Sequence, residues 1–261
     1  MRQQGEKMPP ASQLATKTIL GLALSFSVQS LASDATSIPS TNSSAEKIPA
    51  SLLQLGFKGQ YYSPFAFVVD KKQRTLTVWE QTDSSYTKVA EFPADLGKNN
   101  GEKKSSGDAK TPEGIYFLNS MLEGNGLDFE KYGKRAFVTN YPNFFDQREG
   151  KTGSGIWLHA VPDSVPLTRG SKGCVVVRND AILNLTQYIK LAKTPLLIHE
   201  EVDYASLAAL KEKQQKISVM IEEWRSAWEK KDIESYIKNY GSEFHSMRMN
   251  REQWKRYKTK L

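Results

Sequence analysis

The sequence predicts an α+β protein, in which a β-rich domain is followed by a helical C-terminal segment. Apolar side chains alternate with a period of two from Phe65 to about residue 200, which is typical of half-buried strands. Polar, Gly-rich and Pro-rich turns separate these runs. From Glu201 onward the spacing of apolar residues changes to three, four and seven, which indicates helices. The composition, 39% hydrophobic and 25% charged, is ordinary for a soluble protein of one or two domains.

The N-terminus predicts a signal peptide over residues 1–32. Basic residues precede a short apolar run at 18–28, and small residues then lead to a cleavage position after Ala32. The run is shorter than the ~20 residues that span a bilayer, although a short anchor or a buried helix is the alternative. We therefore expect export to the periplasm or cell-wall space, with no stable membrane span after cleavage. Residues 33–47, rich in Ser, Thr and Ala, are expected to form a flexible linker.

The next elements follow from local patterns. Residues 48–57 carry leucines that predict a short helix lying on the main domain. The alternating runs predict strands at 65–70, 75–80, 86–93, 115–118, 136–139, 153–159, 174–177 and 196–199, the first two joined as a hairpin by a polar turn. Between the last two strands, residues 179–191 have helical spacing. This pattern defines a domain that is mostly β, with a few helices.

The C-terminal segment, residues 201–261, is predicted to be helical at 204–228, 232–240 and 250–258. Three tryptophans lie in these helices, at Trp224, Trp228 and Trp254. They would be exposed unless the helices pack on the preceding domain.

Charge and ligand spacing exclude several functions. The formal net charge is +7, but basic residues are interleaved with acidic ones, and no RNA-binding or zinc-finger pattern is present. We therefore expect no nucleic-acid partner. One cysteine and three scattered histidines give no metal-ligand spacing, so we expect no metal and no cofactor.

The single cysteine, Cys174, follows a glycine and lies fifteen residues after His159. A lone cysteine makes no intramolecular disulfide, so it is either a buried, inert side chain or a reactive thiol. A thiolate beside an imidazole performs acyl transfer. If 160–173 form one connecting loop, the two side chains lie at facing ends of neighbouring strands. Taken alone, His159 would be a strand-end histidine without a partner. His199, which follows an apolar strand, is expected to be structural.

The residues around the cysteine suit such a site. Lys172 and Arg178 add positive charge, which lowers the pKa of a thiol, unless they are simply solvated. Gly173 allows the N–H groups of Gly173 and Cys174 to point at one oxygen, although it could serve only a hairpin turn. Ser171 can brace the loop by hydrogen bonding to the backbone.

These motifs resemble the YkuD-type L,D-transpeptidase family over about residues 48–200. His159, Ser171, Gly173 and Cys174 are spaced as in its signature, and the turn at 111–114 resembles its Thr-Pro-x-Gly motif. The resemblance implies a β-rich fold and peptidoglycan stem peptides as substrates. It implies Cys174 as nucleophile, His159 as general base, the carbonyl of Ala160 or its neighbour as the group that orients the base, and the Gly173 and Cys174 amides as oxyanion donors.

Two positions depart from this family. Lys172 stands where the family usually has histidine, and Arg178 lies four residues after the cysteine instead of two. Ser171, Lys172 and Arg178 are nevertheless the candidates for substrate binding. The departures indicate a divergent branch.

Residues 222–240 resemble the opening helices of an NTF2-like domain, but no sheet strands follow before Leu261, so the module is incomplete or degenerate. The pairing of domains resembles cell-shape-determining LD-carboxypeptidases, which trim tetrapeptides to tripeptides. The sequence therefore predicts an L,D-transpeptidase that transfers the acyl group to an amine. An LD-carboxypeptidase is the first alternative, and a non-catalytic peptidoglycan-binding protein is the alternative from another class.

Overall fold

The computed structural model describes residues 47–53, 63–82 and 85–261. The predicted signal peptide, the predicted linker except Lys47, and residues 54–57 of the predicted first helix lie outside these ranges.

Twelve strands and six helices form the described part of the chain. The strands are β1 (Ile48–Pro49), β2 (Phe65–Asp70), β3 (Thr75–Gln81), β4 (Tyr86–Pro93), β5 (Gly114–Glu123), β6 (Arg135–Thr139), β7 (Trp157–Val161), β8 (Val175–Arg178), β9 (Pro195–His199), β10 (Tyr204–Ala205), β11 (His245–Ser246) and β12 (Met249–Asn250). The helices are α1 (Phe129–Tyr132), α2 (Phe144–Arg148), α3 (Asn179–Leu185), α4 (Leu207–Glu229), α5 (Ile233–Lys238) and α6 (Arg251–Lys258).

Eight of the strands form one sheet in the order β4-β3-β2-β9-β5-β6-β7-β8. Most neighbours are antiparallel, but β2 pairs with β9 and β7 pairs with β8 in parallel. The long strand β5 joins the two halves, because its first part pairs with β9 and its second part pairs with β6. The register shifts between Leu118 and Ser120, where the strand changes partner, as a β-bulge does when it bends a sheet.

The two halves of the sheet face each other across one core. Apolar side chains from both halves are fully buried in it, namely Phe67, Val69, Leu76, Val78, Phe137, Leu158, Val175 and Val177. Beyond β4, Asp95 pairs with Val176 of β8, so that the first and last strands of the sheet are connected. The predicted β-rich sandwich with a few helices is therefore confirmed.

In the β-rich domain, the predicted first helix and the predicted histidine strand differ from the structure. Ile48 and Pro49 form a strand instead of starting a helix, because pairing with β10 buries the Ile48 side chain completely beside Trp79 and Leu210. The strand that carries the histidine starts at Trp157 instead of residue 153. Gly153 and Gly155 have φ values of 97° and 71°, which a strand does not continue. His159 consequently lies in the middle of β7.

The C-terminal segment is mainly helical, as predicted, and its tryptophans pack mainly within the segment. It differs from the prediction at Tyr204 and Ala205, which form β10 instead of starting the helix, and at residues 245–250, where β11 and β12 pair as a short hairpin. Helix α4 begins after Ser206, whose hydroxyl caps the helix by accepting from the Ala209 N–H. The Trp224 ring stacks on Tyr236, and the Lys258 ammonium lies 4.5 Å from the Trp228 ring. Trp224 and Trp228 remain 39% and 40% exposed. None of the described helices combines the length and the apolar character that crossing a membrane requires.

Candidate active site

The parallel pair β7 and β8 brings the predicted cysteine and histidine together. His159 lies opposite Val176, and Cys174 is two residues before Val176, directly ahead of β8. Alternate residues of a strand share one face of the sheet, so Cys174, Val176 and His159 point to the same side. Both side chains line one cleft of about 610 Å³.

The His159 imidazole is held by the next residue and by an aromatic ring. Its Nδ1 lies 2.6 Å from the Ala160 carbonyl oxygen, so Nδ1–H donates and Nε2 keeps its lone pair. The Tyr132 ring packs edge-on against the imidazole, with 5.1 Å between ring centroids. Burial lowers the pKa of His159, while the hydrogen bond to Ala160 opposes that shift. The imidazole is therefore a neutral group with one fixed tautomer.

The Cys174 thiol is half-buried and donates to the Gly155 carbonyl oxygen at 3.5 Å. Burial raises the pKa of this thiol, because a thiolate loses solvation in the cleft. The Trp157 backbone N–H and the positive charge of Lys103 oppose the shift. The thiol is therefore protonated at rest, and it becomes a strong nucleophile only when a base removes its proton.

The turn that precedes β8, residues 169–174, is here named the cysteine turn. The Ser171 hydroxyl accepts from the Gly173 N–H at 3.1 Å and donates to the Cys174 carbonyl oxygen at 2.8 Å. Gly173 has a φ of 127°, and a Cβ there would lie 2.6 Å from the Lys110 carbonyl oxygen, so the position requires glycine. Ser171 thus braces the turn, and in this structure the Gly173 N–H is engaged with it instead of facing the cleft freely.

The two predicted basic residues lie in different places. Lys172 is exposed and lines the cleft beside Cys174. Arg178 is not among the residues that line the cleft. Its guanidinium donates to the carbonyl oxygens of Pro162, at 3.5 Å, and of Val165. Arg178 therefore braces the loop after β7, and the structure does not bring it to the cysteine as a substrate-binding residue.

Several residues that sequence reasoning missed also line the cleft, among them Asp95, Lys103 and Tyr132. The Lys103 side chain is buried, and its Nζ lies 2.7 Å from Asp108 Oδ1. The positive charge that opposes the upward shift of the thiol pKa is that of Lys103, not that of Lys172 or Arg178 as the sequence suggested. The only signal in the sequence was a lysine pair in the polar loop before the Thr-Pro-x-Gly turn, which does not reveal where the side chain points.

Within the described ranges, no group of three or more His, Cys, Asp or Glu side chains is placed to hold a metal ion. What the cleft does contain is a thiol, a neutral imidazole with a fixed tautomer, and a buried ammonium group. This set is suited to nucleophilic acyl chemistry.

The fold and the site together define the class of protein: a β-rich sandwich with a cysteine and a histidine on one face of two parallel strands. The chain belongs to the L,D-transpeptidase catalytic domain family, YkuD, which matches residues 64–198. Residues 216–261 match the Cds6 C-terminal NTF2-like domain. The recognised family and the recognised C-terminal module are therefore both confirmed.

Known proteins resemble the chain over different lengths. Bd1075 of Bdellovibrio bacteriovorus is 49% identical, with a TM-score of 0.73 over 82% of this chain and 76% of that one. The helical cell shape determining protein Pgp2 of Campylobacter jejuni is 28% identical, with a TM-score of 0.62 over 78% of this chain and 73% of that one. YafK of Escherichia coli (strain K12), provisionally named an L,D-transpeptidase, is 26% identical over 49% of this chain and 48% of its own length. The chain thus spans about half the length of this curated relative.

Proposed function

We propose that the protein is a cysteine-dependent acyl transferase that acts on peptidoglycan stem tetrapeptides. Membership of the L,D-transpeptidase family supports the substrate class. The observation that carries the proposal is the placement of Cys174 and His159 on one face of β7 and β8, in one cleft, with His159 Nδ1 held by Ala160. A protonated thiol beside a neutral imidazole is the resting state from which general-base catalysis begins.

The proposed reaction has two halves. His159 Nε2 takes the thiol proton, and the Cys174 sulfur attacks the carbonyl carbon of the amide between the L-centre and the terminal D-alanine. The C–N bond breaks, the imidazolium returns the proton to the leaving amine, and D-alanine departs from a thioester. The acceptor then attacks the thioester carbonyl while His159 removes its proton. The C–S bond breaks, and the imidazolium returns that proton to the Cys174 sulfur, which restores the resting thiol and the neutral imidazole. The Cys174 N–H, with the Gly173 N–H if Ser171 releases it, would stabilise the oxyanion.

The acceptor decides which enzyme this is. An amine from a second stem gives a cross-link, which is the outcome expected from the family name. Water gives a tripeptide, which is the LD-carboxypeptidase outcome. Similarity to the helical cell shape determining protein Pgp2 extends over 78% of the chain. It supports water as the acceptor, because the pairing of domains resembles that of cell-shape-determining LD-carboxypeptidases. We therefore propose trimming as the main outcome, with transfer as the second candidate.

The proposal also covers the location of the enzyme and its division into domains. Peptidoglycan lies outside the cytoplasm, so the substrate requires the export that residues 1–32 predict. Residues 48–200 would form the catalytic domain and residues 201–261 the NTF2-like segment.

The direct test incubates the purified protein with a disaccharide tetrapeptide and identifies the products by mass spectrometry. Tripeptide without dimer supports the carboxypeptidase, and a cross-linked dimer supports the transpeptidase. A carbapenem, whose strained amide acylates a reactive cysteine, is the second probe. If the wild-type protein gives neither product nor carbapenem adduct, the enzyme proposal is wrong and the non-catalytic, peptidoglycan-binding alternative gains support.

The pH dependence of kcat should have an acid limb below pH 6.5, the ordinary pKa of histidine. The base must be neutral, protonation inactivates it, and burial lowers the pKa of His159, so activity persists to lower pH than an exposed histidine would allow. The measurement is kcat for tetrapeptide cleavage across the acidic range. A limb centred above 6.5, or a flat profile down to about pH 4, would exclude His159 as the base.

A further inference from the structure

Asp95 is a buried carboxylate that neither the family motif nor the proposed reaction uses. It follows β4, its exposed fraction is 3%, and it lines the same cleft as Cys174. An ionised carboxylate is costly to bury unless its oxygens are satisfied by donors. The identity of those donors therefore indicates what the residue does.

The Asp95 carboxylate accepts three hydrogen bonds, two of them from the cysteine turn. Oδ1 accepts from the Arg169 N–H and, at 2.9 Å, from Arg74 Nη2. Oδ2 accepts from the Gly170 N–H at 2.8 Å. Arg74 also donates to the Leu167 carbonyl oxygen, so this cation holds both the carboxylate and the chain that leads into the turn.

The backbone of the same residue holds the strand that follows the cysteine. The Asp95 N–H donates to the Val176 carbonyl oxygen at 2.7 Å, and the Val176 N–H donates to the Asp95 carbonyl oxygen at 2.8 Å. Farther along, the Lys98 N–H donates to the Ser171 carbonyl oxygen at 3.0 Å. Asp95 therefore anchors the chain on both sides of Cys174. Its side chain holds the turn before the cysteine, and its main chain holds Val176 after the cysteine.

We propose that Asp95 is a positioning residue, which fixes the cysteine turn so that the Cys174 sulfur is held in reach of His159. This inference rests on the proposed function, because a position matters only if the sulfur reacts. The position requires a side chain that accepts hydrogen bonds and donates none, because two backbone N–H groups and a guanidinium all point at it. An asparagine would keep the size but place an NH₂ group against one of these donors.

The test compares Asp95→Asn with the wild-type protein and with Asp203→Asn, a control that removes an exposed carboxylate. We expect Asp95→Asn to lower kcat for tetrapeptide cleavage by about 10²-fold, the cost of misplacing a reacting atom by about 1 Å, with KM near the wild-type value. Alkylation of Cys174 by iodoacetamide should become about tenfold faster, because a released turn returns the thiol to water. The control should match the wild type in both measurements.

A merely structural role would lower the melting temperature and leave kcat per folded molecule unchanged. A kcat within threefold of the wild type, measured well below the melting temperature, would overturn the proposal whatever happens to stability. If Asp95→Asn does not fold, Arg74→Met removes the cation that orients the same carboxylate, and kcat should fall in the same direction. If the wild type does not cleave tetrapeptide, the proposed function fails, and the alkylation rates alone decide whether Asp95 positions the thiol.

Discussion

Replacing Cys174 with serine is expected to lower kcat for D-alanine release by at least about 10³-fold, as loss of a nucleophile does in other acyl-transfer enzymes. A hydroxyl is far less acidic than a thiol, so a neutral imidazole deprotonates it poorly. The measurement is tetrapeptide cleavage by mass spectrometry, together with the mass of the intact protein after exposure to a carbapenem. The wild type should gain one adduct mass, and the variant none.

Serine occupies nearly the same volume as cysteine, so the melting temperature should change little. A folded Cys174→Ser protein that still cleaves tetrapeptide at the wild-type rate would show that the reaction, if present, uses another group. Cysteine is suited to this comparison because the chain has only one, and any thiol adduct therefore reports on this site alone.

The second large effect is expected from His159→Gln, which should lower kcat by about 10²- to 10⁴-fold, the usual contribution of a general base. The remaining rate should depend on the small fraction of thiolate that forms without a base. Because burial raises the pKa of the Cys174 thiol, this rate should climb steadily with pH through the neutral and alkaline range. The wild type should instead be level above the His159 transition.

His199→Gln is the matched control for this variant. His199 is another partly buried histidine whose pKa burial lowers, but its Nε2 contacts the Ser51 hydroxyl at 3.1 Å on the other half of the sheet. This control should keep the wild-type pH profile. If both histidine variants lost activity equally, or if His159→Gln kept a level profile, the assignment of His159 as base would be contradicted.

The positions of the strands were the part of the fold that could best be predicted from the sequence. Residues 86–93 were predicted as a strand, and β4 spans Tyr86–Pro93. Long alternating runs bury one face, so their type is fixed locally. Residues 48–49 were predicted wrongly as helix, because their partner β10 is more than 150 positions away in the chain and only tertiary pairing buries Ile48. Local spacing carries no information on such a partner.

The candidate site also has a part that the sequence could predict and a part that it could not. Cys174 and His159 could be proposed from residue chemistry and spacing, and their shared face follows once β7 and β8 are known to be parallel neighbours. The buried Lys103 and the carboxylate of Asp95 could not be proposed, because each reaches the cleft from a segment about 70 to 80 positions before the cysteine. A charged residue in a polar stretch looks solvated until the fold places it inside.

The contacts that hold the cysteine turn also determine the stage of folding at which the site forms. The Gly170 N–H reaches Asp95 over 75 positions, and Arg74 reaches the Leu167 carbonyl over 93. Contacts between distant parts of a chain form late, since the loop entropy must be lost before they stabilise anything. A chain with its hairpins formed but its sandwich still open therefore has an ordinary cysteine. The proposed pair of Cys174 and His159 is assembled only when the first and last strands of the sheet close around it.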